Sequence, residues 1–168
     1  MALVITKEAE ALVGVDGPPR TTVVEASWVK HFAHSIAWPN PPNPLYFDDE
    51  YARNSRFGGI IAPPTFATRC RWLGNPMEDL QRVLPPWTVM MNGGNDYEIL
   101  APIRPGDVLT GRGHLASLKE APRPDGGVLV IVRYAGRVDN QRGERVLNSG
   151  SGLLIVWAPD KLPKPPRP

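Results

Sequence analysis

Val128-Leu129-Val130-Ile131-Val132 is an unbroken apolar run, nearly all β-branched. It stands between two turn clusters, Pro122 to Gly127 and Asn140-Gln141-Arg142-Gly143. Branching at Cβ stiffens a side chain and suits it to a pleated surface. The run therefore predicts a strand over 127–139. Its continuous hydrophobicity predicts cover on both faces, by a helix and by a partner. Working outward, the same turn chemistry separates further strands at 87–100, 106–120 and 144–157, with Pro102 to Gly106 as the third separator.

Upstream the texture changes. Thr21-Thr22-Val23-Val24 follows Gly17-Pro18-Pro19 and reads as a short first strand over 21–24. Val29, Phe32, Ala33, Ile36 and Ala37 then recur at helical spacing, with Ser27 as the expected N-cap and Pro39 as the stop. Pro39 to Pro44 is a stiff irregular loop. Asp48 to Arg53 suits a short helix with acids at its positive end. Phe57 to Ala62 is a Gly-initiated apolar turn. Pro63-Pro64-Thr65 is expected to open a second helix running to about Leu73, ended by Gly74-Asn75-Pro76. One early strand, then helices, then four long antiparallel strands is an α+β order. It predicts an antiparallel sheet of about five strands wrapped around a central helix. The expected organisation is an N-terminal segment 1–20, a domain over 21–157, and a Pro-rich tail 158–168.

Composition sets limits. A chain of 168 residues buries roughly 70% of its unfolded surface, enough for one real core. Net charge is only +2, with both signs interleaved, which gives no footprint for nucleic acid. Cys70 is the single cysteine, so no internal disulfide or CxxC metal framework is possible, and it reads as a small buried hydrophobe. The N-terminus lacks the pattern of a signal peptide, and no stretch reaches the roughly 20 apolar residues of a membrane span. The expected setting is cytoplasmic, with no cofactor and no metal.

Three segments in order carry a resemblance. Asn43-Pro44-Leu45-Tyr46, Asp49-Glu50-Tyr51-Ala52 and Phe57-Gly58-Gly59-Ile60-Ile61-Ala62-Pro63 resemble the hydratase motif of MaoC-like (R)-specific enoyl-thioester hydratases and dehydratases. Pro102-Ile103-Arg104-Pro105-Gly106-Asp107 and Asn140-Gln141-Arg142-Gly143-Glu144 resemble two later turns of that family. The similarity spans about residues 17–157, in the FAS1-like, N-terminal variant. It implies a hot-dog fold. It also implies an Asp/His pair that activates water toward a 2-enoyl thioester, aided by a backbone N–H at the thioester oxygen.

This chain departs from the pattern at all three parts. The family Asp position falls on Pro41, and the His position on Tyr46, a phenol whose ordinary pKa is about 10. The family's Ala-His-Gly becomes Ala62-Pro63-Pro64, so a proline without an N–H replaces the oxyanion donor. The remaining histidines do not repair the site: His31 and His34 read as surface residues of the first helix, and His114 as structural. Asp96 and Glu98 share a strand face and are the weak substitutes; a solvated face is the simpler reading. Ser149, Ser151 and Thr65 have no visible base partner.

The resemblance thus implies a division of labour between paired hot-dog copies. This copy is expected to be the non-catalytic, acyl-binding subunit of a heteromeric 2-enoyl-CoA or acyl-carrier-protein hydratase. Its cavity would be shaped by Asn43, Tyr46, Ile60, Ile61, Thr65, Phe66, Met91 and Asn92. Two alternatives stay open: a self-sufficient hydratase with a displaced acid/base pair, and an acyl-thioester binding module without catalysis. The expected partner is a second hot-dog subunit, or a homodimer.

Overall fold

A computed structural model describes residues 4–69 and 76–163. Cys70 and the expected continuation of the second helix through Leu73 lie outside the described residues, as does the end of the tail. The strands are β1 (Arg20–Val23), β2 (Val89–Ile99), β3 (Val108–Pro122), β4 (Val128–Asp139) and β5 (Arg145–Trp157). They form one antiparallel sheet in the order β1-β3-β4-β5-β2. The expected strands are therefore all present, with bounds shifted by a few residues.

The helices are α1 (Lys7–Ala11), α2 (Ala26–Ala37), α3 (Asp49–Arg53) and α4 (Pro76–Val83). Short 3-10 turns cover Pro44–Tyr46, Pro64–Arg69 and Pro159–Lys161. α2 buries Val29 and Ala33, but Ile36, one turn later, is 53% exposed. Its N-cap is Glu25 and not Ser27, whose hydroxyl instead meets the Glu25 carboxylate at 3.4 Å. The segment opened by Pro63 and Pro64 is a 3-10 turn among the described residues. Its Phe66 N–H donates to the Pro63 carbonyl, a three-residue step.

Two helices went unread in the sequence. α1 is capped by Thr6, whose hydroxyl accepts from the Ala9 N–H at 3.1 Å. α4 opens on Pro76, a position where a missing N–H is harmless.

Strand parity divides the sheet into two faces. On β5, Leu147, Ser149, Ser151, Leu153, Ile155 and Trp157 alternate to the inner face, and Asn148, Gly150, Gly152, Leu154 and Val156 to the outer. The helices pack on the inner face in two clusters. One joins Val29 of α2, Ala52 of α3, Ile60, Ala62, Phe66, Leu109, Val138 and Leu147. The other joins Val4, Ala9, Leu80, Leu115, Val130, Val132, Ile155 and Trp157. The N-terminal segment is thus part of the core: Glu120 Oε2 accepts from the Val4 N–H at 2.9 Å and the Ile5 N–H at 3.3 Å. On β4 the expected double cover is half present. Val128, Val130 and Val132 are buried inward, while Leu129 and Ile131 on the outer face are half-buried.

Candidate functional site

The motif loop is held by its own polar side chains. Asn43 Oδ1 accepts from the Leu45 N–H at 3.0 Å and so caps the turn that carries Tyr46. Asp48 Oδ1 accepts from the Glu50 and Tyr51 N–H groups, both at 3.0 Å, and caps α3. Asp49 pairs with Lys30 at 2.7 Å, and the hydrogen bond from that lysine holds its carboxyl below the ordinary value. Two of the acidic groups beside Tyr46 are therefore engaged in capping or pairing, where ionised carboxylates serve best.

Leu45 packs against the first core cluster, which contains Ile60 and Phe66. The Phe66 ring meets that of Phe32 edge-on, centroids 5.6 Å apart. Ile61 is buried at 9% exposure, and Tyr46 is half-buried. Asn43 and Thr65 are exposed. Of the residues expected to shape a cavity, the structure gathers Ile60 and Phe66 in one cluster, with Tyr46 beside it through Leu45.

β2 separates the others. It is an edge strand, and a bulge between Asn92 and Asn95 shifts its register against β5. Gly94 takes a φ of 103° there, a left-handed value that favours glycine. Asn92 Oδ1 accepts from its N–H at 2.9 Å. By register Asn92 shares the inner face with Leu153, whereas Met91 lies on the outer face with Leu154. Asp96 and Glu98 also lie on the outer face, across the sheet from Tyr97, which packs against the first cluster. Asp96 lies over Gly150, in the space a Cβ would need, and Glu98 accepts from Asn148 Nδ2 at 2.8 Å.

The histidines are dispersed. His31 and His34 are exposed on α2, and the His34 ring meets that of Phe47 at a tilt, centroids 5.1 Å apart. His114 Nδ1 lies 3.0 Å from Asp16 Oδ1, and Arg137 donates to the other oxygen of Asp16 at 2.8 Å. That trio sits on the outer side of β3 and β4. Among the described residues no group of three or more His, Cys, Asp or Glu could hold a metal ion.

Two features were not read from the sequence. Asp107 is 2% exposed; it accepts from the Arg104 N–H at 2.8 Å and from Gln141 Nε2 and Arg142 Nη1, each at 3.3 Å. This one carboxylate ties the turn at 102–107 to the hairpin at 140–144. Ser149 is 7% exposed on the inner face, and its Oγ is buried with no hydrogen-bond partner among the described residues. Strand parity alone could have placed it there; its neighbours come from elsewhere in the chain.

The family model described as "FAS1-like, dehydratase domain region" matches residues 11–149. A UPF0336 protein of Streptomyces avermitilis is 29% identical over 148 residues, 86% of this chain and 93% of that one. The MaoC-like dehydratase from Rhodospirillum rubrum superposes with a TM-score of 0.62 at 27% identity, covering 91% of this chain and 94% of that one. The C-terminally truncated HadBC (3R-hydroxyacyl-ACP dehydratase) complex from Mycobacterium tuberculosis shares the fold, with a TM-score of 0.65 at 21% identity over 84% of this chain and 96% of that one. The curled five-stranded sheet, the motif loop and the matched span agree: this chain has the hot-dog fold and belongs to the FAS1-like dehydratase domain family, among MaoC-type dehydratases and hydratases.

Proposed function

We propose that this chain is the acyl-binding, non-catalytic subunit of a heteromeric (R)-specific 2-enoyl-CoA or acyl-carrier-protein hydratase, acting in lipid metabolism in the cytoplasm. One observation carries the reading. At the motif loop the positions of the acid and the base hold Pro41 and Tyr46, and the nearby carboxylates of Asp48 and Asp49 are committed to a cap and an ion pair. General acid/base catalysis needs a titratable pair within hydrogen-bond reach of one water. The weak substitutes Asp96 and Glu98 have the sheet between them and the cluster that holds Ile60 and Phe66.

The edge of the sheet supports a partner. Val89, Met90, Met91, Ile99 and Leu100, on and next to β2, are all at least 41% exposed. An open edge with apolar side chains invites another strand. A second hot-dog subunit that carries the Asp/His pair would extend the sheet there, and this copy would then supply apolar wall for a long or bulky acyl group. No helix among the described residues is long and apolar enough to cross a membrane.

The test is hydration of a trans-2-enoyl-CoA, followed by loss of the enoyl absorbance. The chain is assayed alone and with a hot-dog protein from the same genome that carries the Asp/His pair. The expected result is turnover by the mixture at least about a hundredfold above either protein alone, in line with the contribution of a positioned acid/base pair. Robust turnover by the isolated chain would sink the reading and favour a displaced pair.

A further inference from the structure

At the end of the sheet where β2 begins and β5 finishes, a groove of about 340 Å³ is lined by Gln81 of α4, Leu84, Pro86 and Trp87. That volume is at the low end for a ligand-holding cleft. Leu84 is buried, Trp87 half-buried and Pro86 exposed. The Trp87 ring is braced edge-on by Trp157, centroids 6.3 Å apart, and Trp157 Nε1 donates to the Pro85 carbonyl at 3.2 Å. The groove therefore has a fixed aromatic wall. Gln81 is exposed and adds a side-chain amide to the otherwise apolar lining.

The chain leaves β5 beside this groove. The Ala158 N–H donates to Thr88 Oγ1 at 2.9 Å, one residue from Trp87. After the 3-10 turn Pro159–Lys161, Leu162 packs on the second core cluster, as Trp87 does. Leu162 and Pro163 are half-buried, so the chain still follows the core where the described residues end. The sequence continues Lys164-Pro165-Pro166-Arg167-Pro168. Proline at this density favours the polyproline II helix, with about three residues per turn. At that period Leu162, Pro165 and Pro168 fall on one face, Pro163 and Pro166 on a second, and Lys164 and Arg167 on the third. Two adjoining faces are then apolar, and the basic side chains keep to the remaining one.

We propose that the tail of this same chain, Pro163 to Pro168, docks in the groove as a polyproline II strap across Trp87. Aromatic-lined grooves take proline-rich segments because such segments lose little entropy on binding. The two proline faces meet Leu84, Pro86 and Trp87, while Lys164 and Arg167 look to solvent. A polyproline II backbone makes no internal hydrogen bonds, so its carbonyls are open to the Gln81 amide. A rise of about 3.1 Å per residue carries the strap about 15 Å beyond Pro163. Attachment selects this occupant. A short link holds the tail near its groove at an effective concentration in the millimolar range, above that of any free proline-rich peptide.

The experiment is proton NMR of the full chain, with the Trp87 indole identified by loss of its signal in Trp87→Phe. In the parent the Trp87 ring is expected to show cross-relaxation to the side chains of Pro165 and Pro166, besides that to its neighbour Pro86. In the full-length double variant Pro165→Ser/Pro166→Ser the tail contacts are expected to vanish and the Trp87 indole signal to move. The Pro86 contacts and the melting curve are expected to stay. Dilution of the parent should alter neither signal nor contacts, because the strap belongs to the same chain. The proposal is overturned if the Trp87 signal and contacts are the same in the parent and the double variant. It is also overturned if the tail contacts fade on dilution, which would give the groove to the tail of a second copy.

Discussion

Removing the carboxylate of Asp107 should loosen the end of the sheet where the two family turns meet. Asp107 is almost wholly buried, and its three partners come from two segments far apart in sequence. In Asp107→Ala the Arg104 N–H loses a charged acceptor at 2.8 Å, worth about 1.5–3 kcal/mol. The Arg142 contact adds at most about 1 kcal/mol, because that guanidinium is half exposed and screened. The expected loss is therefore about 2–4 kcal/mol. For a domain of this size that lowers Tm by roughly 5–12 °C. Asp107→Asn keeps an acceptor for the Arg104 N–H and gives up the charge, so its loss should be about half as large. Calorimetric melting of the three proteins at neutral pH is the assay. An alanine variant that melts within about 1 °C of the parent, or an asparagine variant as damaged as alanine, would refute the assignment of Asp107 as the tie between the two turns.

Other outcomes follow from the same structure. Ile61→Asp places a carboxylate at a buried position beside the motif turn and should cost about 3–5 kcal/mol; an unchanged melting temperature would contradict that placement. The carboxyl of Asp16 is held below its ordinary value, first by the hydrogen bond with His114 and then by that with Arg137. A depressed folded pKa stabilises the fold above the unfolded value, about 4, and the gain fades as pH falls through the lower folded value. Asp16→Asn should therefore lower the neutral plateau of the Tm-versus-pH curve and flatten its acid side below about pH 5, so that the two proteins converge at low pH. Curves of the two proteins that coincide from neutral to acid pH would remove Asp16 from the account.

Much of the fold was legible because strands and turns are local signals. The β-branched run at 128–132 and the Gly/Pro-bearing turns that bound it are determined by neighbours in sequence, and β4 appears where they put it. The same holds for α2, whose apolar spacing identifies the buried Val29 and Ala33. The spacing could not say where packing ends, so Ile36 reads as core and stands exposed, beyond the reach of the sheet. α4 was missed although Leu80, Val83 and Leu84 are helically spaced after Pro76. The preceding Gly74-Asn75 reads as a stop, and only packing of Leu80 and Leu84 under the sheet fixes the helix.

The substitutions at the motif were equally plain in the sequence, since Pro41, Tyr46, Pro63 and Pro64 declare by residue type which groups can titrate or donate. Which face each strand residue meets was not plain. Asp96 and Glu98 share a face by simple alternation, yet only the register with β5 says that it is the outer one. The bulge at Asn92 and Asn95 shows why: one extra residue resets the parity along β2, so Met91 and Asp96 end on the same side despite their odd spacing. Likewise Asp107 and Gln141 are 34 positions apart, and the bond between them exists only once β3, β4 and the hairpin beyond are assembled. Residue chemistry and local periodicity are written in the chain itself; sidedness and long-range pairing arise from the closure of the sheet, which no short stretch of sequence can specify.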